Sequence, residues 1–284
     1  MPTCKNQDLT PPSASSAADG VAELAFAVRA GRTVLASSRV RAPMTLVRPF
    51  PLDDGGQLVQ LITVGPGLCG GDRIDIRITI EPGARAVITT PAASRVLSMD
   101  DGRQACQRIQ INVASGAALE YYPAVTIPFP ESAFAQTIDV NAAAGARVGV
   151  LETWALGRTS RDEYLRFRSL SSRTTLTVDG TLAYADATEL RPGRDRLDGV
   201  GILAGRHYLS SGFWYGVDLN DGLVPGPVDA GDVVSVVDQT RPGIVYLRAL
   251  GSDAPALDAK IRDILDRITR AWNGLPVRLD RFRC

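Results

Sequence analysis

The sequence is poor in the residues that build most metal and catalytic centres. It has a single histidine, His207, and four widely spaced cysteines, Cys4, Cys69, Cys106 and Cys284, with no C-x-x-C pair. One imidazole and scattered thiols cannot form a histidine-rich zinc or nickel centre, and this spacing predicts neither a disulfide framework nor a zinc knuckle. Cys69 or Cys106 could pair with His207 as a nucleophilic dyad. No flanking signature supports that pair, and an isolated cysteine is commonly a small core residue.

An excess of charge of one sign is also missing. The chain has 31 basic and 31 acidic residues, so its formal net charge is zero and no long-range field attracts nucleic acid or an acidic membrane. It contains no G-x-S-x-G nucleophile elbow, no phosphate-binding P-loop and no run of about 18 apolar residues, and its first residues lack the apolar segment of a signal peptide. We therefore expect a cytoplasmic protein without nucleic-acid or membrane partners.

One glycine-rich turn, Gly65 to Asp72, contains the dinucleotide-binding pattern G-x-G-x-x-G. That pattern binds a pyrophosphate only where its last glycine opens a helix, because the amides of the helix N-terminus hold the anion. Here the chain continues as Arg73–Ile80, in which isoleucine alternates with polar residues at a period of two. Such alternation predicts a half-buried strand, so the glycines indicate a tight turn between strands and not a cofactor site.

A weak internal repeat follows, in which each unit is an alternating strand, a Gly-Ala turn and a second apolar strand. The turn glycines Gly83, Gly116 and Gly145 are 33 and 29 residues apart. The predicted strand pairs are Arg73–Ile80 with Ala86–Thr90, Gln107–Val113 with Leu119–Tyr122, and Gln136–Val140 with Val148–Trp154. Strands at this period without helices predict stacked β layers, either a sandwich of hairpins or a solenoid-like stack.

The two ends of the chain differ from this β-rich middle. Residues 1–20 contain few apolar side chains and are predicted to form a flexible tail, which leaves residues 21–284 as one domain. Residues 191–243 are rich in Gly, Pro and Asp and are predicted to form loops with short strands. An amphipathic helix is predicted over residues 255–273, where apolar residues recur at helical spacing from Leu257 to Trp272.

Three carboxylates in or beside apolar segments are candidate functional residues. Asp72 closes the glycine-rich turn, and Glu120 and Glu152 lie inside apolar strands. Carboxylates buried in a β core are costly unless they are paired or bind a cation, although they can also face water on the polar side of a sheet. Glu120 and Glu152 stand four and seven residues after their turn glycines, so they need not share a face. Arg158 could pair with Glu163 or with either glutamate.

The order of these segments resembles the urease accessory protein family called UreD or UreH. The matching pieces are Gly31-Arg32-Thr33-Val34-Leu35, Arg48-Pro49-Phe50, Gly70-Gly71-Asp72, Gly83-Ala84, Thr89-Thr90, Leu119-Glu120, Pro123, Ile127-Pro128-Phe129, Gln136, Leu156-Gly157-Arg158 and Glu163. The match covers about residues 21 to 190. The chain departs from the family at Pro91–Ser98, and it has Asp162 where the family usually has a glycine before the glutamate.

The resemblance implies a non-enzymatic scaffold with a mostly β, solenoid-like fold and one C-terminal helix. It implies partners as well: a UreF-type accessory protein, a UreG-type GTPase and urease apoprotein, into which nickel is inserted. No tightly bound cofactor is implied, and transient Ni²⁺ would need oxygen ligands that release it readily.

On this basis Asp72, Glu120 and Glu152 are predicted to line an internal polar path for nickel, with Arg158 and Glu163 balancing charge and Cys69 as a further, softer ligand. Two alternatives remain open: a β-solenoid enzyme that processes carbohydrate with paired carboxylates, and a β-rich interaction module without a metal role.

Overall fold

The computed structural model describes residues 17–99, 102–218 and 226–273, and strands dominate this part of the chain. The strands and the one α-helix found there are β1 Asp19–Arg29, β2 Arg32–Arg41, β3 Met44–Leu46, β4 Phe50–Pro51, β5 Gln57–Thr63, β6 Arg73–Ile80, β7 Arg85–Thr89, β8 Ser94–Val96, β9 Ala105–Val113, β10 Ala118–Tyr122, β11 Thr126–Pro128, β12 Ala133–Ala142, β13 Arg147–Ala155, β14 Ser169–Val178, β15 Thr181–Leu190, β16 Tyr208–Tyr215, β17 Gly226–Asp229, β18 Val233–Arg241, β19 Ile244–Gly251 and α1 Ala254–Asn273.

These strands form two facing sheets. The first sheet has the order β15-β14-β12-β9-β6-β1-β2, and the second has the main order β17-β18-β19-β16-β13-β10-β7-β5-β3. The central strands of each sheet are parallel, β1-β6-β9-β12-β14 in the first and β5-β7-β10-β13 in the second. The chain thus winds as a solenoid of about four coils, which confirms the solenoid-like prediction.

The Gly-Ala turns send the chain from the first sheet to the second. The two strands of each repeat unit do not pair with each other; each pairs with the corresponding strand of the next unit. Successive turns are joined by backbone hydrogen bonds, from Ala118 N to Ala84 O at 2.9 Å and from Arg147 N to Ala117 O at 2.9 Å. The glycine of each turn has a positive φ, 70° at Gly116, which L-residues adopt only with strain.

The main core lies between the two sheets. Ile74, Ile76, Ile78 and Ile80 of β6 all point into it and are buried, whereas the alternate positions of β6 face outward. The central strands of the second sheet lack this alternation, and β10 is buried along its whole length, because the outer face of that sheet is covered too. A second apolar cluster, which includes residues of α1, packs on that outer face.

Helix α1 covers the outer face of the second sheet, and its position confirms the amphipathic helix predicted from the sequence. Its apolar stripe is buried at Leu257, Ile261, Ile264, Leu265, Ile268 and Trp272. The Asp253 carboxylate accepts a hydrogen bond from Ala256 N at 2.9 Å and so caps the first turn. In the described part of the chain, no helix combines the length and the apolar character needed to cross a membrane.

The predicted turn at Gly65 to Asp72 is confirmed, and at Gly67 it packs closely against the backbone of Arg95. A β-carbon at Gly67 would lie 2.6 Å from Arg95 O, and its φ of 151° also favours glycine. Gly65–Leu68 forms one wall of a cleft of about 210 Å³ whose other walls are Leu61–Thr63 and Thr90–Arg95.

The connections at the two ends of the solenoid differ in length. Short turns at residues 81–84, 114–117 and 143–146 join the first sheet to the second at one end. At the other end lie the long connections 90–104, 123–132, 156–168 and 191–207, of which residues 100 and 101 are not described.

The sequence prediction missed β16 and the short strands β8, β11 and β17, and it set the start of β1 late. β16, Tyr208–Tyr215, lies in the region predicted as loops, where it pairs with both β13 and β19. At the N-terminus, β1 begins at Asp19, inside the predicted tail of residues 1–20; residues 1–16 of that tail lie outside the described residues. The extent of the single domain stays a prediction, and residues 274–284 are likewise outside the description.

Candidate functional site

Glu152 lies on β13 and points into the space between the two sheets. Its side chain is surrounded by polar groups of the opposite sheet. The Ser172 hydroxyl lies 2.9 and 3.0 Å from the two carboxylate oxygens, the Thr174 hydroxyl donates to Oε2 at 3.3 Å, and the Gln136 amide donates to Oε1. Both oxygens therefore have partners, as a buried carboxylate requires.

Burial raises the pKa of the Glu152 carboxyl from 4.5 to about 7. Desolvation is the largest cause, because removal from water disfavours the charged form. Hydrogen bonds from Ser172 and Thr174 act in the opposite direction, Asp186 raises the pKa further and Arg248 lowers it. The group therefore changes charge close to neutral pH.

A small cavity of about 10 Å³ adjoins Glu152 and extends toward the edge where β15 of the first sheet faces the second sheet. Its lining residues are Val150, Glu152, Thr174, Tyr184, Asp186, Ser211, Gly212 and Phe213. Arg248 of β19 spans the two sheets here, with Nη2 at 2.6 Å from Asp186 Oδ1 and Nη1 donating to Thr188 Oγ1 at 2.9 Å. Glu152 and Asp186 thus line the same cavity, and Asp186 is paired with Arg248.

Glu120 is also buried, with 1% of its side chain exposed, but it lies on the other face of the second sheet. In the sheet Glu120 is paired with Gly149 of β13. Because side chains alternate between the two faces along a strand, Glu152, three positions after Gly149, faces the opposite side of the sheet from Glu120. Arg85 donates to Glu120 Oε1 at 2.6 Å and also contacts Asp54. Burial raises the pKa of Glu120, and the Arg85 charge opposes that rise.

Asp72 holds the glycine-rich turn. Its Oδ1 accepts a hydrogen bond from Ala18 N at 2.8 Å and its Oδ2 accepts one from Cys69 N at 2.7 Å. The Cys69 side chain is exposed and its thiol is free. Partial removal from water and the Asp72 charge raise the pKa of that thiol, which disfavours the thiolate that binds metals.

Arg158 and Glu163 pair with each other. Two guanidinium nitrogens of Arg158 contact the two Glu163 oxygens, and the guanidinium carbon lies 4.0 Å from the centre of the Phe129 ring. The hydrogen bond from Arg158 lowers the pKa of Glu163. Gly157 allows this loop to close, because a β-carbon there would lie 2.0 Å from Glu163 O. Asp162 in the same loop has a φ of 53°, which aspartate tolerates better than most residues.

The predicted path of three carboxylates is therefore not assembled in one place. Asp72 closes a turn, Glu120 faces α1's side of the second sheet, and Glu152 faces the core between the sheets. Among the described residues there is no group of three or more His, Cys, Asp or Glu side chains that could hold a metal ion. Glu120 and Glu152 also cannot flank one bond of a sugar chain, since a sheet separates them.

Sequence reasoning found Glu152 but missed most of its surroundings. Ser172 and Thr174 stand at inward positions of β14 between the buried Leu170 and Leu176. Polar residues at positions where the alternation requires apolar ones are a signal of a polar site in the core. Asp186 carries no such signal, because only the pairing of the sheets brings it near Glu152.

The chain matches a family model described as UreD urease accessory protein over residues 18–284. It is similar to urease accessory protein UreD of Deinococcus radiodurans, with 34% identity over 251 residues that cover 88% of this chain and 89% of the relative. It is 38% identical over 192 residues to urease accessory protein UreD 1 of a Synechococcus species, covering 68% of this chain and 72% of the relative. With UreD of Ralstonia nicotianae the identity is 29% over 270 residues, which cover 90% and 91% of the two chains.

Proposed function

Since the chain belongs to the UreD family of urease accessory proteins, which are non-catalytic maturation factors, we propose that it is a scaffold for nickel incorporation into urease. In this proposal it acts in the cytoplasm together with a UreF-type accessory protein and a UreG-type GTPase, and it docks on urease apoprotein. Support comes from the family match over residues 18–284 and from the solenoid fold, whose stacked coils offer long surfaces to several partners.

We place a transient contact with nickel, as cargo and not as a resident cofactor, at Glu152. The observation that carries this assignment is a buried carboxylate that points between the sheets with the hydroxyls of Ser172 and Thr174 at its oxygens, and burial raises its pKa to about 7. Such a group can exchange a proton for a cation at neutral pH, and oxygen ligands bind Ni²⁺ weakly enough to release it. The hydroxyls of Ser172 and Thr174 would add neutral oxygen ligands on the same side of the cavity.

Asp72 and Glu120 have other roles in this proposal. Both oxygens of Asp72 accept backbone hydrogen bonds, and Glu120 is paired with Arg85. We therefore expect these two carboxylates to stabilise the scaffold. Arg158 and Glu163, which pair with each other, are assigned the same structural role.

The test is co-expression of this chain with urease and the other accessory proteins, with each carboxylate replaced by its neutral isostere. Glu152→Gln should lower the nickel content of purified urease and its specific activity severalfold, while the accessory complex still co-purifies. Glu120→Gln is the matched control, a buried glutamate on the other face of the same sheet. It should change the yield of folded protein and not the nickel loaded per complex formed.

Two results would count against these assignments. Full nickel loading with Glu152→Gln would refute the contact at Glu152 and leave the scaffold role intact. Urease that matures equally well without this chain would refute the scaffold role itself.

A further inference from the structure

The connection between β15 and β16, residues 191–207, is held in a fixed shape although most of it is exposed. Leu197 and Leu203 are buried in the main core at 6% and 3% exposure and anchor the segment at two points. Between them the backbone closes on itself, with Leu203 N donating to Leu197 O at 3.1 Å and Ile202 N donating to Gly199 O at 3.0 Å. The residues from 198 to 202 thus form a positioned tip.

The tip is also fastened to the neighbouring connection, residues 156–168. Asp198 Oδ1 accepts hydrogen bonds from Gly205 N at 2.9 Å and from the Tyr164 hydroxyl at 3.1 Å. The Tyr164 ring stacks on His207 with 4.9 Å between ring centres. The two connections therefore form one surface at the end of the solenoid.

This surface presents two aliphatic side chains to water. Val200 is 99% exposed and Ile202 is 51% exposed, and they stand on the same tip two residues apart. An aliphatic pair on a preorganised loop loses little conformational entropy on binding, so it can anchor a partner at small cost. The fold gives no internal reason for an apolar tip, because Leu197 and Leu203 already supply the anchoring.

The charges around the tip are mainly positive. Residues 191–207 contain four arginines and two aspartates, and Asp198 is engaged within the segment. Arg194 and Arg196 are exposed beside the tip, and Arg161 and Arg166 are exposed on the neighbouring connection. Arginine around an aliphatic anchor suits a protein surface that carries carboxylates around an apolar pocket.

We propose that the tip at Val200 and Ile202, with its arginine rim, is a docking surface for an acidic partner protein that receives the two aliphatic side chains in an apolar pocket. This inference rests on the proposed function, so the partner is one component of urease maturation. A protein is favoured over a membrane because the tip has no aromatic residue for the lipid interface and contains Asp198, with Asp195 three residues before it.

The test measures binding of the full chain to phosphatidylserine vesicles and to three purified proteins from the same source: urease apoprotein, the UreF-type protein and the UreG-type GTPase. The first variant is Val200→Ser with Ile202→Ser, and the second is Arg194→Glu with Arg196→Glu. The control is Leu182→Ser, because Leu182 is an aliphatic residue of similar exposure, 56%, on β15.

Both tip variants should weaken binding to one of the three proteins at least tenfold, and the control should stay within twofold of wild type. The arginine variant should also reduce the salt dependence of binding. The thermal unfolding midpoint should stay close to that of wild type in all variants, since each replaced side chain is exposed.

Wild-type affinity in both tip variants would overturn the docking surface and leave the proposed function standing. Loss of binding to phosphatidylserine vesicles, with protein binding unchanged, would overturn it in favour of a membrane contact. Failure of the wild-type chain to bind any of the three proteins would count against the proposed function itself.

Discussion

Glu152 makes the stability of this protein depend on pH in a direction opposite to that of most carboxylates. Burial raises its pKa from 4.5 to about 7, so between these values the folded state holds a proton that the unfolded state has released. Stability therefore falls as pH rises through this window and levels off above it. Raising a carboxyl pKa by this amount corresponds to about 3 kcal/mol.

Glu152→Gln removes this titration and keeps an amide that can hydrogen-bond the hydroxyls of Ser172 and Thr174. We expect the free energy of unfolding of the variant, relative to wild type, to increase by about 2.5 kcal/mol from pH 5 to pH 8, because wild type has already lost part of the effect at pH 5. Urea unfolding at four pH values, followed by tryptophan fluorescence, measures this difference directly, because Trp154 and Trp214 are buried.

The control is Glu163→Gln. The Glu163 pKa is lowered by Arg158, so its contribution is present above the unfolded pKa and is lost only as pH falls below that value. Its difference from wild type should stay nearly flat from pH 6 to pH 8. Parallel pH curves for wild type and Glu152→Gln would refute the reasoning, because they would mean that Glu152 titrates normally in the folded protein.

Three other predictions concern stability and use urea unfolding as the measurement. Gly157→Ala should destabilise the protein by about 3 kcal/mol or more, because the added β-carbon would lie 2.0 Å from a backbone oxygen. Gly180→Ala, where a β-carbon meets open space, should cost about 1 kcal/mol. Equal losses in the two variants would contradict the predicted clash at Gly157. Arg85→Met should lower the free energy of unfolding by about 3 to 5 kcal/mol, because it leaves Glu120 buried and unpaired. Adding Glu120→Met should recover most of that stability. A double variant with no recovery would show that Arg85 contributes through packing alone. Ile268→Ala should cost about 2 to 5 kcal/mol, and a smaller loss would mean that α1 is not firmly seated on its sheet.

The positions of the strands were predictable wherever a strand has one buried and one solvent-exposed face. β6 begins and ends at the residues that its alternation predicts, because each isoleucine faces the core and each polar residue faces water. β16 was missed for the opposite reason. Its residues are buried on both faces, since α1 and the first sheet enclose the second sheet, and so it shows no alternation.

The pairing of the strands was beyond the reach of the local sequence. A Gly-Ala turn is compatible both with a hairpin and with a corner that leads to the opposite sheet. Only the stacking of equivalent turns, with Ala118 N bound to Ala84 O and Arg147 N bound to Ala117 O, selects the corner and makes the central strands parallel. The repeat in the sequence indicated that layers exist, and the resemblance to the UreD family indicated which kind.

The same distinction applies to the candidate carboxylates. The sequence indicated that Glu120 and Glu152 lie in apolar strands, that the turn at Gly65 to Asp72 leads into a strand and not into a helix, and that an amphipathic helix follows the last strand. These features depend on spacing along the chain, so the sequence alone determined them. The register of β10 against β13 decided that the two glutamates face opposite ways, and the approach of the two sheets placed Ser172, Thr174 and Asp186 near Glu152. Contacts between residues far apart in sequence form only when separate coils stack, so the tertiary structure alone determined the site.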